Sequence, residues 1–163
     1  MKNQLYLFMW SFVLSLFVSS LQAKDCLNAQ IQKVENEAMW QMDISLENSN
    51  SQNYTAFQLD LLLPKGFSVV EGSVELSSRM SDHAVSSAQI APGNYRVMVY
   101  SMTNSAIAGN SGKVVSLMLQ ADANVAYGNY NVLIAPIYVS SRNGVEEEFP
   151  EVMTTLEYAD TDV

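Results

Sequence analysis

Residues 54–70 read YTAFQLDLLLPKGFSVV, and this stretch decides the fold class. Phe57, Leu59 and Leu61 share one parity, while Gln58 and Asp60 share the other. A period of two belongs to an extended strand with one buried face. Pro64-Lys65-Gly66 then breaks the ladder, because proline has no N–H for a neighbouring strand, and a second short apolar run resumes at Phe67. Burying three such side chains contributes about 1.5–3 kcal/mol each. The stretch reads as a half-buried strand at the heart of a β-sandwich.

The same period extends in both directions. Residues 38–46 set Ala38, Trp40, Met42, Ile44 and Leu46 on one face and Gln41, Asp43 and Ser45 on the other. Residues 27–34 give a weaker first strand, with Ala29 and Ile31 sharing a side. Beyond the break, residues 67–70 and 74–76 are short strands around Glu71-Gly72, and residues 77–82 form a polar loop. Residues 83–90 and 94–102 flank Pro92-Gly93. That pair predicts a β-hairpin, since proline presets φ and glycine accepts a positive one. In its second arm Tyr95, Val97 and Val99 alternate with Arg96, Met98 and Tyr100.

After a loop of small residues at 102–112, residues 113–121 place Val115, Leu117 and Leu119 on one side and Val114 and Met118 on the other. Residues 129–140 form a long β-prone segment that Pro136 bulges. Arg142-Asn143-Gly144 turns the chain, and residues 152–158 supply a last strand. No helical stripe occurs beyond residue 23. The fold class is all-β.

Residues 1–23 carry one early cation, Lys2, then an apolar run and a small-residue end at Ala23. This is the pattern of a secretory signal peptide, and the apolar run falls short of the roughly 20 residues a membrane span needs. Residues 24–163 are then a single domain with a short acidic tail. Loss of Lys2 moves the formal charge from −9 to −10, which argues against nucleic acid and anionic membranes as partners. The expected location is secreted or cell-envelope. The one cysteine, Cys26, cannot form an internal disulfide, so the fold rests on its core.

The chemistry-bearing residues are few. His83, beside Asp82, reads as an exposed strand-edge histidine, and no G-x-S-x-G nucleophile motif accompanies it. One Cys and one His do not suit zinc. Glu146-Glu147-Glu148 with Glu151 could meet calcium in a loop, although such a run is more simply solvated. Trp40 belongs to the core by parity, which leaves Tyr54, Tyr127, Tyr130 and Tyr138 as aromatic platforms for a shallow glycan site. No catalytic residue, metal site or cofactor is expected.

The order of these features resembles cohesin modules, within the β-sandwich superfamily that also contains carbohydrate-binding modules. The resemblance is carried by residues 56–61 (AFQLDL) with Pro64 and 67–70 (FSVV), by 95–101 (YRVMVYS), by 108–117 (AGNSGKVVSL) and by 128–132 (GNYNV). It covers roughly residues 30–158. It implies a jelly-roll sandwich of about nine strands that binds a protein, dockerin-like or of the cell envelope, through one sheet face. A polysaccharide is the alternative partner. The binding sheet would comprise residues 56–61, 83–90, 95–101 and 129–139. Strand parity then puts Gln58, Asp60, Arg96, Met98, Tyr100 and Asn131 on its outer face, with Leu133 beside them.

Overall fold

The computed structural model describes residues 24–35, 38–48 and 53–159. The expected signal peptide and acidic tip lie outside the described residues. Eleven strands follow in order: β1 (Cys26–Lys33), β2 (Met39–Glu47), β3 (Tyr54–Leu62), β4 (Phe67–Val69), β5 (Glu75–Leu76), β6 (Ala84–Ala91), β7 (Asn94–Tyr100), β8 (Lys113–Ala121), β9 (Gly128–Ser141), β10 (Glu146–Phe149) and β11 (Val152–Tyr158). The excess over the nine implied by the resemblance is in short pieces. Glu146–Phe149, expected as a loop, is a strand because it pairs back onto β9.

The strands form two packed sheets. One runs β1-β2-β8, with β4 and β5 both paired to β8. The other has six strands, β10-β9-β3-β7-β6, with β11 also on β9. β3 is thus central, as residues 54–70 lead one to expect. Phe57, Leu59 and Leu61 are buried between the sheets with Trp40, Met42, Ile44, Leu46, Leu117 and Leu119. Trp40 links the layers: its Nε1 donates to the Glu157 carbonyl at 2.9 Å, and its ring meets Phe67 and Tyr158 edge-on. The β6–β7 hairpin turns at Pro92-Gly93, where Gly93 takes φ +74°, a conformation that side chains with a Cβ resist.

Two features depart from simple alternation. Val114 and Val115 are both buried, because the β2–β8 register shifts between Ile44 and Ser45. On β9, Leu59 of β3 faces Ile137 while Leu61 faces Ile134. That shift inserts an extra residue at the cis Ala135-Pro136 bond. A bulge of this kind reverses parity. Upstream, Val132 and Ile134 point inward; downstream, Ile137 and Val139 do.

The loop from Ser101 to β8 is ordered by a cation. Arg79 belongs to the 3-10 turn Ser78–Met80. Its guanidinium donates to the carbonyls of Ala108 (2.6 Å), Leu46 (2.9 Å), Gly112 (2.6 Å) and Gly109 (3.2 Å), and to Asn48 Oδ1 (2.8 Å). Burial draws its pKa down, opposed by the charge of Glu47.

Candidate functional site

The outer face of the six-stranded sheet gathers most of the residues that parity assigns to it. β3–β7 pairing sets Ala56 opposite Tyr100, Gln58 opposite Met98 and Asp60 opposite Arg96. β9 adds Ser140 beside Ala56 and Tyr138 beside Gln58. β10 adds Glu146 and Glu148, and β6 adds Ala84, Ser86 and Ala88. Two cross-strand rows result, Glu146–Ser140–Ala56–Tyr100–Ala84 and Glu148–Tyr138–Gln58–Met98–Ser86.

Ala56 and Ser140 are short, so the taller Tyr100, Met98, Tyr138 and Glu146 stand around a hollow of about 380 Å³. Met98 is 42% and Tyr100 37% exposed. A second apolar group lies further along the same face. There Leu62 pairs with Leu133, which pairs with Met153, and both Leu62 and Met153 are exposed.

Between the two groups sits an ion pair. Arg96 Nε donates to Asp60 Oδ1 at 2.7 Å and Nη2 to Oδ2 at 2.8 Å. This two-pronged geometry fixes the guanidinium plane, and the hydrogen bonds to Asp60 raise the Arg96 pKa. Asp60 is expected on the outer face and lies there, but it is buried under Arg96. The sheet therefore presents the guanidinium rather than the carboxylate. Asn131 shares the face but lies apart from the hollow, opposite Thr155 of β11 and beyond the last β3–β9 pair.

Ser140 and Glu146 are hollow residues absent from the expected face, whereas Tyr138 is one of the expected aromatic platforms. The reversal at Pro136 turns Tyr138 outward, and the loop reading of residues 146–149 hid a strand. Among the aromatic platforms, Tyr54 is a correction. A register shift beside it rotates the ring into the core against Phe149. Its hydroxyl donates toward Asp25 (2.9 Å) and Glu147 (3.3 Å), and burial with those two carboxylates raises its pKa. Tyr127 stands edge-on to Tyr158, so it forms no flat platform with that ring. Among the described residues no group of three His, Cys, Asp or Glu is placed to hold a metal ion, and alternation along β10 divides its glutamates between faces.

His83 differs from its expected exposure. Both ring nitrogens are shut away from solvent without a well-aligned partner, near the carbonyls of Thr55 and Ser105. Burial lowers its pKa, with Asp82 and those carbonyls pulling the other way. Asp82 accepts from Ser105 and Thr103, which lowers its own pKa. A histidine whose folded pKa lies below the unfolded value of 6.5 binds fewer protons folded than unfolded. Its contribution is fully present above pH 6.5 and lost as pH falls toward the folded value. Chemical denaturation at stepped pH should show stability declining below that point. In His83→Gln the decline should be shallower; an unchanged slope would assign it to other groups.

No protein-family model matches the sequence, and no curated protein does. Solved structures do. A cohesin module from a Clostridium perfringens family 33 glycoside hydrolase aligns at TM-score 0.64 and 14% identity, covering 82% of this chain and 97% of that one. A non-cellulosomal cohesin from the archaeon Archaeoglobus fulgidus aligns at 0.66 and 14%, covering 86% and 94%. A chain of a type I cohesin–dockerin complex from Clostridium thermocellum aligns at 0.59 and 13%, covering 78% and 96%. At these identities the likeness is one of fold: the chain is a cohesin-like β-sandwich. No helix among the described residues is long and apolar enough to cross a membrane.

Proposed function

We propose that the chain is an exported, non-catalytic binding module that recognises a protein partner through the outer face of its six-stranded sheet. The observation that carries this is the company Met98 and Tyr100 keep. They stand exposed around a hollow, on a rigid central sheet, beside an arginine held flat by a buried aspartate. Aromatic, Met and Arg side chains are the types enriched at interface cores. A dockerin-like protein or a cell-envelope protein fits this reading, and export through residues 1–23 would bring the module to either.

A shallow glycan site is the second reading. It is favoured by one observation, that Tyr100 and Tyr138 line the same hollow as Gln58 and Glu146. Affinity capture from the source's secreted proteins separates the two. Retention on a glycan array without a protein partner would reject the first.

For the face itself, Met98→Ala combined with Tyr100→Ala is expected to weaken partner binding by about 2 kcal/mol, some thirtyfold in Kd. The melting temperature should barely move, because both side chains are substantially exposed. A large drop in melting temperature would show that they hold the fold instead.

A further inference from the structure

Asp82 and Asp122 bracket residues 83–121, which contain no Asp or Glu in a chain with 17 acids. That run includes β6, the end strand of the six-stranded sheet, whose strand partner among the described residues is β7 alone. Open sheet edges are normally guarded by charge, proline, a bulge, shortness or a covering element. The other edges have such guards: β4 and β5 are three and two residues long, β10 carries three glutamates, and β1 lies against β11. β6 reads AVSSAQIA, eight uncharged residues of which all but Val85 are exposed. Its one guard is a register shift at the strand's end, between Gln89 and Ala91, which leaves residues 84–89 in regular pairing with β7. On its inner side a cleft of about 480 Å³, lined by Ser87, Gln89, Ser68, Gln120 and one acid, Glu71, separates it from the opposite sheet.

We infer that β6 is the seam of a symmetric dimer, in which a second copy of this chain adds its own β6 antiparallel to the first. Charge selects the occupant. Two copies of a chain with formal charge −9 repel each other where their acids meet, and β6 carries no acid of its own, with Glu71 set back across the cleft on its inner side. A two-fold axis through Ser87 sets Ser87 opposite its symmetry mate, Ser86 opposite Ala88 and Val85 opposite Gln89. Every pair is small or uncharged, and serine pairs on a sheet hydrogen-bond across strands. The cleft keeps the opposite sheet clear of the incoming strand.

An axis normal to the sheet joins the two six-stranded sheets edge to edge with both outer faces on the same side. The dimer would therefore present two hollows in one direction. That display rests on the proposed recognition role of the face, whereas the pairing itself does not.

Sedimentation velocity on the purified protein across the micromolar range tests the pairing without reference to any partner. The expected result is a doubling of mass with concentration. Ser87→Lys, which sets like charges directly opposite, should weaken association at least tenfold while keeping the wild-type melting temperature. As a second variant, Ser87→Cys in a Cys26→Ser background should give a disulfide-linked dimer on mild oxidation, and Asn143→Cys should not. A single mass at every concentration overturns the proposal, as does a dimer that Ser87→Lys leaves intact. Capture of another protein's extended peptide by β6 while the copies stay apart overturns it as well.

Discussion

Replacing Arg79 with alanine is expected to lower the free energy of unfolding by about 3–5 kcal/mol, since hydrogen bonds to a charged group contribute roughly 1.5–3 kcal/mol each and do not add fully. The loss has an identifiable source. Four backbone carbonyls and one amide oxygen converge on a single guanidinium, and alanine leaves all five without that donor. Three of the carbonyls belong to Ala108, Gly109 and Gly112, in a loop with little apolar burial beyond Ile107. Urea titration should show an earlier midpoint, and hydrogen exchange should accelerate across residues 104–112 before the rest. Arg79→Lys should recover only a minor part, because an ammonium cannot reproduce the planar fork. Full recovery by lysine would mean that charge alone organises the loop.

Trp40→Ala is expected to destabilise by a similar amount, about 3–5 kcal/mol, the usual range for deleting a large aromatic from a core. Trp40 is 1% exposed and contacts the ring of Phe67 on β4 and that of Tyr158 on β11, so its removal opens the space between the sheets. Trp40→Phe tests the two contributions separately. It keeps much of the ring contact but deprives the Glu157 carbonyl of its donor, a loss of about 1–2 kcal/mol. Circular dichroism during thermal unfolding measures both variants. A phenylalanine variant as unstable as the alanine one would place most of the effect in the hydrogen bond.

How much of this was legible follows from where the period of two holds. β2, β7 and β3 from Ala56 onward keep their side chains on alternating faces, so Trp40, Phe57, Leu59, Val97 and Met98 fall on their correct faces from sequence alone. Parity carries no information across a bulge, and the misplaced Tyr54 adjoins one. Tyr54, expected as a platform, sits at a register shift and turns inward, whereas Tyr138, expected as one too, lies past Pro136 and does face outward. The burial of Asp60 under Arg96 is a different kind of failure. Strand parity gives the face but not whether a neighbour will cover it. His83 was hidden for the same reason, since the carbonyls beside it come from Thr55 and Ser105, distant in the chain. Arg79 gave no local signal, because its five acceptors lie some thirty residues away on either side.

The extra residue at Ala135-Pro136 has an implication for variation in this chain. β9 is in effect written in two reading frames, and the residue at the junction keeps them in phase with β3. A one-residue deletion there would merge the two frames, since the three-residue step from Ile134 to Ile137 becomes the two-residue step that Leu61 and Leu59 already take, and the side chains on either side keep their faces. The same loss further along, at Tyr138, would instead turn Val139 outward and Ser140 inward, or force β10 and β3 to slide past β9. Substitutions downstream can redecorate the hollow one side chain at a time. A change of length away from the junction would rewrite that whole side of it at once.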